Sequence, residues 1–229
     1  MGTDLFFNRI ARYASLPVIR KNKSVPISLV ALGFLAILLP THSQAESPSR
    51  GPQARGAVQR GTLEVGVMAG FLQGNDTLTS VSSDRTALYA LPRVGIVVTP
   101  DMGSGLYAGN LELLIEPLYA HYFRPFGANA AGGSLVFKYN LLGFGRWLPF
   151  WDSGFGMLWT NLAPRIPEQS TPFNFVLESG PGVQYFATER VALTLGVRFH
   201  HISNAQTGDR NKGLNSTLGY LGISIFFPR

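Results

Sequence analysis

Apolar residues alternate with small or polar residues along most of the chain beyond Thr62, and this alternation has the period of a β-strand. The odd-numbered positions of residues 63–71 are all apolar, and so are those of residues 191–199. Eight segments carry such a pattern, with turn-like breaks between most of them: 62–73, 84–99, 105–123, 133–145, 150–161, 171–186, 189–203 and 215–227. The pattern predicts an all-β protein with an even number of antiparallel strands.

The length of these segments favours strands that cross a membrane. Many of them exceed the roughly 10 residues that a tilted strand needs to span a bilayer. An even number of strands with one apolar face each is typical of outer-membrane barrels. Closing the sheet also pairs the edge strands, whose free N–H and C=O groups hydrocarbon cannot solvate. We therefore predict an eight-stranded antiparallel transmembrane β-barrel for residues 61–229.

Charged residues of both signs lie on the face of the strands opposite to the apolar one. They are Glu64, Arg93, Glu112, Glu116, Lys138, Glu178, Arg198 and His200. An eight-stranded barrel is just wide enough for side chains to fill it, so we expect a packed network of ion pairs and hydrogen bonds rather than a pore. In a soluble barrel of lipocalin type these few charges would have to coat the whole exterior. A charged fraction of 14% makes that alternative less favourable.

The first 45 residues have the three parts of a secretory signal peptide. Basic residues dominate positions 1–24, an apolar stretch runs from Val25 to Leu39, and Ser43-Gln44-Ala45 supplies small residues for cleavage near Ala45. A retained membrane anchor is the alternative. Most of the formal net charge of +6 lies in this segment, so the charge does not indicate nucleic-acid binding.

Residues 46–60 are polar and rich in Pro and Gly, and we expect a flexible N-terminal segment before the barrel. The chain has no Cys, which excludes a disulfide scaffold, a thiolate metal site and a Cys nucleophile. His121, His200 and His201 fall on differing faces, and no phosphate loop or dinucleotide fingerprint is present. No cofactor and no metal are therefore expected.

The hairpin between the seventh and eighth strands contains a candidate hydrolytic pair. His201 and Ser203 continue the apolar face of the seventh strand, and Asn215 can point outward from the eighth. Residues two apart on a strand share a face at about 6.5–7 Å between Cα atoms, so the imidazole can reach the hydroxyl. A His that removes the proton of a Ser hydroxyl is the minimal hydrolytic pair, and polar groups on a lipid-facing surface are costly. The alternative is that His201 and Ser203 only mark the membrane interface.

The run Phe199-His200-His201-Ile202-Ser203-Asn204-Ala205, followed by Asn211-x-Gly213-Leu214, resembles the closing signature of the lipid A 3-O-deacylase (PagL-type) family, also called acyloxyacyl hydrolase-like outer-membrane proteins. The resemblance implies hydrolysis of the 3-O-linked hydroxyacyl ester of lipid A at the outer surface of the barrel. It implies lipid A or lipopolysaccharide as the substrate, within outer-membrane lipid, and leaves open whether the protein forms a homodimer.

The resemblance also implies roles for individual residues. His201 becomes the general base and Ser203 the nucleophile. Asn211, with Asn204 or backbone N–H groups near Gly213, becomes a candidate to stabilise the oxyanion. A plain turn is the alternative explanation for Asn211 and Gly213, because Asn and Gly favour left-handed conformations.

Position 215 departs from the family pattern, because Asn215 stands where an acidic residue orients the His. An Asn oxygen can accept a hydrogen bond from the ring, but it cannot offset the charge of an imidazolium. Three outcomes stay open: a slower Ser-His-Asn enzyme, an enzyme that uses Asp209 instead, and an inactive relative.

Two other functions compete with a deacylase. One is a non-catalytic eight-stranded barrel with a structural or adhesive role. The other is a lipid A acyltransferase, which would need an acyl pocket inside the barrel, and the predicted charged interior disfavours it.

Overall fold

The structure is a computed structural model that describes residues 53–75 and 83–229. The predicted signal peptide, residues 1–45, lies outside the described residues. The described residues contain no α-helix that could span a bilayer.

Eight antiparallel strands form a closed barrel in which each strand pairs with its neighbours in sequence and β1 pairs with β8. A four-residue helix α1 (Ala54–Ala57) precedes them. The strands are β1 (Leu63–Gly74), β2 (Thr86–Val97), β3 (Gly109–Arg124), β4 (Ala128–Leu141), β5 (Trp147–Thr160), β6 (Phe173–Phe186), β7 (Val191–Ser203) and β8 (Leu214–Phe227). The predicted all-β, eight-stranded antiparallel barrel is confirmed.

The starts of β3 and β4 differ most from the predicted ones. β3 begins at Gly109, because residues Gly105–Tyr107 form a 3-10 turn. Gly103, before the turn, and Gly105, its first residue, have positive φ angles of +71° and +61°. β4 begins at Ala128 rather than near 133, and its first residues pair with Tyr122 and the residues before it. Small residues at the start of β4 hide the alternation that marks the other strands.

The outward face of the barrel is apolar around its whole circumference. Its exposed side chains include Val67, Phe71, Leu88, Ile115, Phe155, Met157, Leu177, Leu193 and Leu221. Water does not tolerate a contiguous apolar surface of this extent, whereas a lipid bilayer solvates it, as in transmembrane barrels.

The inward face is filled by the charged side chains that the alternation predicts, together with Asp152, which the predicted set lacks. Arg198 binds Asp152 and Glu116, each at 2.6 Å, and Glu116 also binds Arg93 at 2.7 Å. Lys138 lies 2.6 Å from Glu64, and a second carboxylate, that of Glu112, lies 2.9 Å from the same ammonium. The predicted packed ion-pair network therefore fills the interior.

For residues 53–60 the structure departs from the expectation of a flexible segment. Ala54, Ala57 and Val58 are buried in an apolar cluster with Val97, Leu142, Leu148, Phe186, Ala192 and Phe226. The carbonyl of Val58 accepts a hydrogen bond of 2.8 Å from the Asn110 side chain. These three small apolar residues can enter the barrel end because the polar residues of the segment stay exposed around them.

Candidate functional site

The candidate site lies where β7 ends and β8 begins. His201 and Ser203 share the face of Leu195 and Phe199, which are exposed on the outside of the barrel, and both are half-buried. The predicted outward orientation of this pair agrees with the burial pattern of the strand. Asn215 lies directly opposite His201 in the β7–β8 register.

His201 and Asn215 are joined by a short hydrogen bond. His201 Nδ1 lies 2.6 Å from Asn215 Oδ1, and the Asn215 residue is only 4% exposed. An amide oxygen can only accept, so this bond requires a proton on Nδ1, which in a neutral ring is the single ring proton. His201 Nε2 then keeps its lone pair, which is the state that a general base needs.

Gly213 leaves the space that the His201 ring occupies. A Cβ atom at position 213 would overlap Cε1 of His201 and lie 3.0 Å from its Nε2. No other residue type therefore fits here without moving the ring. The role of Gly213 in this structure is thus to admit the imidazole beside the loop.

Ser203 lies on the same face as His201, two residues further along β7, with Phe175 of β6 as its cross-strand neighbour. In residues 53–75 and 83–229 its hydroxyl forms no hydrogen bond. The structure places the hydroxyl and the ring on one surface without joining them.

Asn211 presents an amide nitrogen that is not otherwise used. Its Oδ1 accepts from the Asn204 backbone N–H at 3.1 Å and from Gln169 Nε2 at 3.5 Å. Within the described part of the chain, Asn211 Nδ2 has no acceptor. Of the three oxyanion candidates, Asn211 is the one with a free side-chain donor group.

Asn204 instead organises the β7–β8 loop, residues 204–213. It is fully buried, and its Nδ2 donates to the Arg210 carbonyl at 2.8 Å. Its Oδ1 accepts from the Gln206 N–H at 3.0 Å. These bonds support a turn in which Ala205 and Gln206 have positive φ angles of +51° and +63°. This left-handed backbone conformation is costly for residues other than Gly.

A second loop, which the sequence analysis missed, packs against this one. It joins β5 to β6 over residues 161–172, and Gln169 forms an isolated β-bridge with Asn211. The Lys212 N–H donates to the Glu168 carbonyl at 2.9 Å, and the Ser170 N–H donates to the Arg210 carbonyl at 3.2 Å. Contacts between two distant loops leave no periodic signal in a sequence.

Asp209, the alternative partner for the ring, is exposed and forms no hydrogen bond or ion pair with any described residue. The contact to the His201 ring comes from Asn215. In the described ranges no group of three or more His, Cys, Asp or Glu residues is placed to hold a metal ion.

Comparison with known proteins identifies one matching protein family and several similar β-barrel structures. The model of the lipid A 3-O-deacylase (PagL) family matches residues 93–224. A search of curated proteins found no match.

Among solved structures, the outer-membrane enzyme PagL is similar at 21% identity and a TM-score of 0.49, covering 71% of this chain and 98% of that one. Neisserial surface protein A follows at 17% identity and a TM-score of 0.47, covering 73% of this chain and 100% of that one. The N-terminal β-barrel domain of Pseudomonas aeruginosa OprF has 15% identity and a TM-score of 0.46, covering 73% of this chain and 98% of that one.

Proposed function

The chain belongs to the lipid A 3-O-deacylase (PagL) family, and from that membership we propose that it hydrolyses the 3-O-linked hydroxyacyl ester of lipid A. The protein is an outer-membrane β-barrel, and its apolar exterior is the kind of surface that a bilayer solvates. A nucleophile on that exterior meets lipid substrates without their leaving the membrane. The substrate is therefore lipid A or lipopolysaccharide in the same membrane.

The observation that carries this proposal is the bond between His201 Nδ1 and Asn215 Oδ1. It orients an imidazole on the outer surface, with Nε2 free, in the strand that also carries Ser203 two residues away. The packing of a plain membrane barrel does not need an oriented imidazole on its outer face, where polar groups are costly.

The proposed reaction has two halves that follow the logic of serine hydrolases. His201 Nε2 removes the proton of Ser203 Oγ, and Oγ attacks the ester carbonyl to form a tetrahedral oxyanion. The oxyanion collapses to an acyl-serine, and His201 returns the proton to the departing sugar oxygen. Water, deprotonated by His201, then releases the hydroxy fatty acid and restores the Ser203 hydroxyl.

Asn211 Nδ2 and backbone N–H groups near Gly213 are the proposed donors to the oxyanion. A preorganised donor is effective here because the surrounding lipid lowers the local dielectric constant. The reaction requires Ser203 Oγ to come within hydrogen-bond distance of Nε2, and catalytic hydrogen bonds often tighten only when the substrate is bound.

Exposed cations at the same end of the barrel support an anionic lipid as the substrate. Arg165 lies in the β5–β6 loop, and Arg210 and Lys212 lie in the β7–β8 loop. None of the three forms an ion pair with a described acidic residue. Arg210 is held by bonds from Nη2 to the carbonyls of Gln169 and Pro164 at 3.1 and 3.2 Å.

A non-catalytic barrel is the second candidate function. Two observations favour it: Asn215 offers the ring no negative charge, and the Ser203 hydroxyl is not bonded to His201. An inactive relative would keep the barrel and lose only the chemistry.

Purified protein in detergent, incubated with lipid A and followed by mass spectrometry, separates the two candidates. The deacylase releases one hydroxy fatty acid and shortens lipid A by the 3-linked chain. Unchanged lipid A at high enzyme concentration would instead support the non-catalytic barrel.

A further inference from the structure

The side chain of Gln169 lies between the strand that carries His201 and Ser203 and the loop that carries Asn211. It is fully buried. Its Nε2 lies 3.4 Å from the carbonyl oxygen of Ile202 and 3.5 Å from Asn211 Oδ1. One amide group thus makes two contacts. The first is to the backbone of Ile202, between the proposed base and the proposed nucleophile, and the second is to Asn211, the proposed oxyanion donor.

The neighbours of Gln169 allow only one orientation of its amide. The Ile202 and Asn211 atoms that it contacts are both oxygens, so Nε2 has to face them, and a reversed amide would set three oxygens together. Asn211 is fixed in the same way, because its Oδ1 receives N–H groups from both Gln169 and Asn204. Asn211 Nδ2 is therefore turned away from both donors.

The oxygen of the Gln169 amide is not stabilised by its surroundings. Its Oε1 is buried and has no hydrogen-bond partner among the described residues. A buried polar atom without a partner destabilises a protein by about 1–3 kcal/mol. An apolar side chain of similar size would avoid that cost, so what the amide gains here is its two Nε2 contacts, to Ile202 and to Asn211.

The backbone around Gln169 is held firmly enough to act as a support. The Glu168 carboxylate, on the residue before it, accepts bonds from the Ser83 N–H at 3.0 Å and the Ser83 hydroxyl at 2.7 Å. The Arg210 N–H donates to the Ser170 hydroxyl at 3.1 Å, on the other side. The amide of Gln169 therefore projects from a segment that is tied to two other loops.

We propose that Gln169 is a positioning residue that fixes the Asn211 carboxamide, so that Asn211 Nδ2 is held ready to donate to the oxyanion. This inference rests on the proposed function, since only a reaction that forms an oxyanion uses that donor. The β5–β6 loop is then part of the catalytic machinery, although it carries no group that contacts the reacting atoms.

Kinetics of Gln169→Leu test the proposal. Removing an oxyanion donor lowers kcat by roughly 10²–10³ in other hydrolases. A loosened donor should cost less, so we expect Gln169→Leu to lower kcat about tenfold or more with KM nearly unchanged. Asn211→Ala should lose more, and the double variant should be no slower than Asn211→Ala alone, because the two residues act as a unit.

Asn174→Leu is the matched control. Asn174 is another fully buried amide, and its Nδ2 donates at 3.2 Å to the carbonyls of Thr171 and Pro172 in the same loop. Its side chain forms no hydrogen bond with Asn211 or with β7 among the described residues. If Gln169 only stabilised the loop, Asn174→Leu would lower kcat as much as Gln169→Leu, and that result would overturn the proposal.

A measurement without substrate separates this inference from the proposed function. The side-chain amide resonances of Asn211 in detergent-solubilised protein should shift in Gln169→Leu and stay in place in Asn174→Leu. Unshifted resonances in Gln169→Leu would overturn the positioning role, whether or not the protein is active. If Gln169→Leu had the wild-type kcat while Asn211→Ala had a lowered kcat, the positioning role would be overturned but the proposed deacylase activity would not. If the wild type were inactive and the Asn211 resonances shifted in Gln169→Leu, the proposed deacylase activity would be refuted, whereas the contact by which Gln169 positions Asn211 would be supported.

Discussion

His201 Nδ1 and Asn215 Oδ1 lie 2.6 Å apart across the β7–β8 pair, with the two residues directly opposite each other in the register. This contact places an amide where the family signature has an acid. It sets the orientation and the tautomer of the ring without supplying a negative charge.

Asn215→Asp should raise the rate of lipid A deacylation. The carboxylate is isosteric with the amide and would stabilise the imidazolium that forms during the reaction. The reverse change in a serine protease costs about 10⁴ in kcat, but lipid opposes a new charge, so we expect a gain of about one order of magnitude. The guanidinium of Arg85, which donates to the Asn215 carbonyl at 2.9 Å, offsets part of that desolvation.

Asn215→Ala and Asp209→Ala complete this series. The first should lower kcat because the ring loses its orienting acceptor. The second should leave kcat at the wild-type value, because Asp209 does not contact the ring. Equal losses in both variants, measured by release of hydroxy fatty acid, would contradict the assignment of Asn215.

Gly213→Ala should lower kcat strongly while the barrel still folds. The added methyl group would overlap the His201 ring and move Nε2 away from Ser203. A 1 Å misplacement of a catalytic group can cost about 10²-fold in rate. Kinetics with lipid A, beside the gel mobility of unheated samples as a check of folding, measure both properties.

Gly219→Ala is the control for that variant, because Gly219 lies in β8, shortly after Gly213, and a Cβ there meets nothing within 4 Å. It should keep wild-type activity. If both alanine variants were equally active, the close approach of Gly213 to the ring would have no catalytic consequence.

Arg198→Met should destabilise the barrel without acting on the site directly. Arg198 is buried and binds Asp152 through two nitrogens and Glu116 through a third. Removing one partner of a buried ion pair leaves unpaired charge and costs about 3–5 kcal/mol. Urea unfolding in lipid vesicles should show the loss, whereas Arg190→Met at an exposed turn should unfold like the wild type. An unchanged midpoint for Arg198→Met would show that the interior network does not stabilise the barrel.

The alternation of side chains predicts the strands, the barrel and the two faces because these all follow from one period. Arg198 falls inside and Leu195 outside from parity alone, and the same parity puts His201 and Ser203 on the outer face. The partnership of His201 with Asn215 was accessible from the register of a hairpin. These features depend on neighbours along the chain or across one strand pair.

Other features could not be predicted because they depend on packing between distant segments. Gln169 reaches Asn211 only because two long loops meet above the barrel. Ala54 and Val58 enter the barrel end although their surroundings in the sequence are polar. At the start of β4, small side chains conceal the strand period, so the predicted start near 133 lies too far along the chain.

The most direct test of the account is the rate at which purified wild type, Ser203→Ala, His201→Ala and the double variant remove the 3-O-linked chain of lipid A, measured by mass spectrometry. The account predicts a measurable wild-type rate and losses of similar size in all three variants, since the proposed nucleophile and base act as a unit. Each variant should keep the heat-dependent gel mobility of a folded barrel. A Ser203→Ala variant that deacylates lipid A as fast as the wild type would contradict the account.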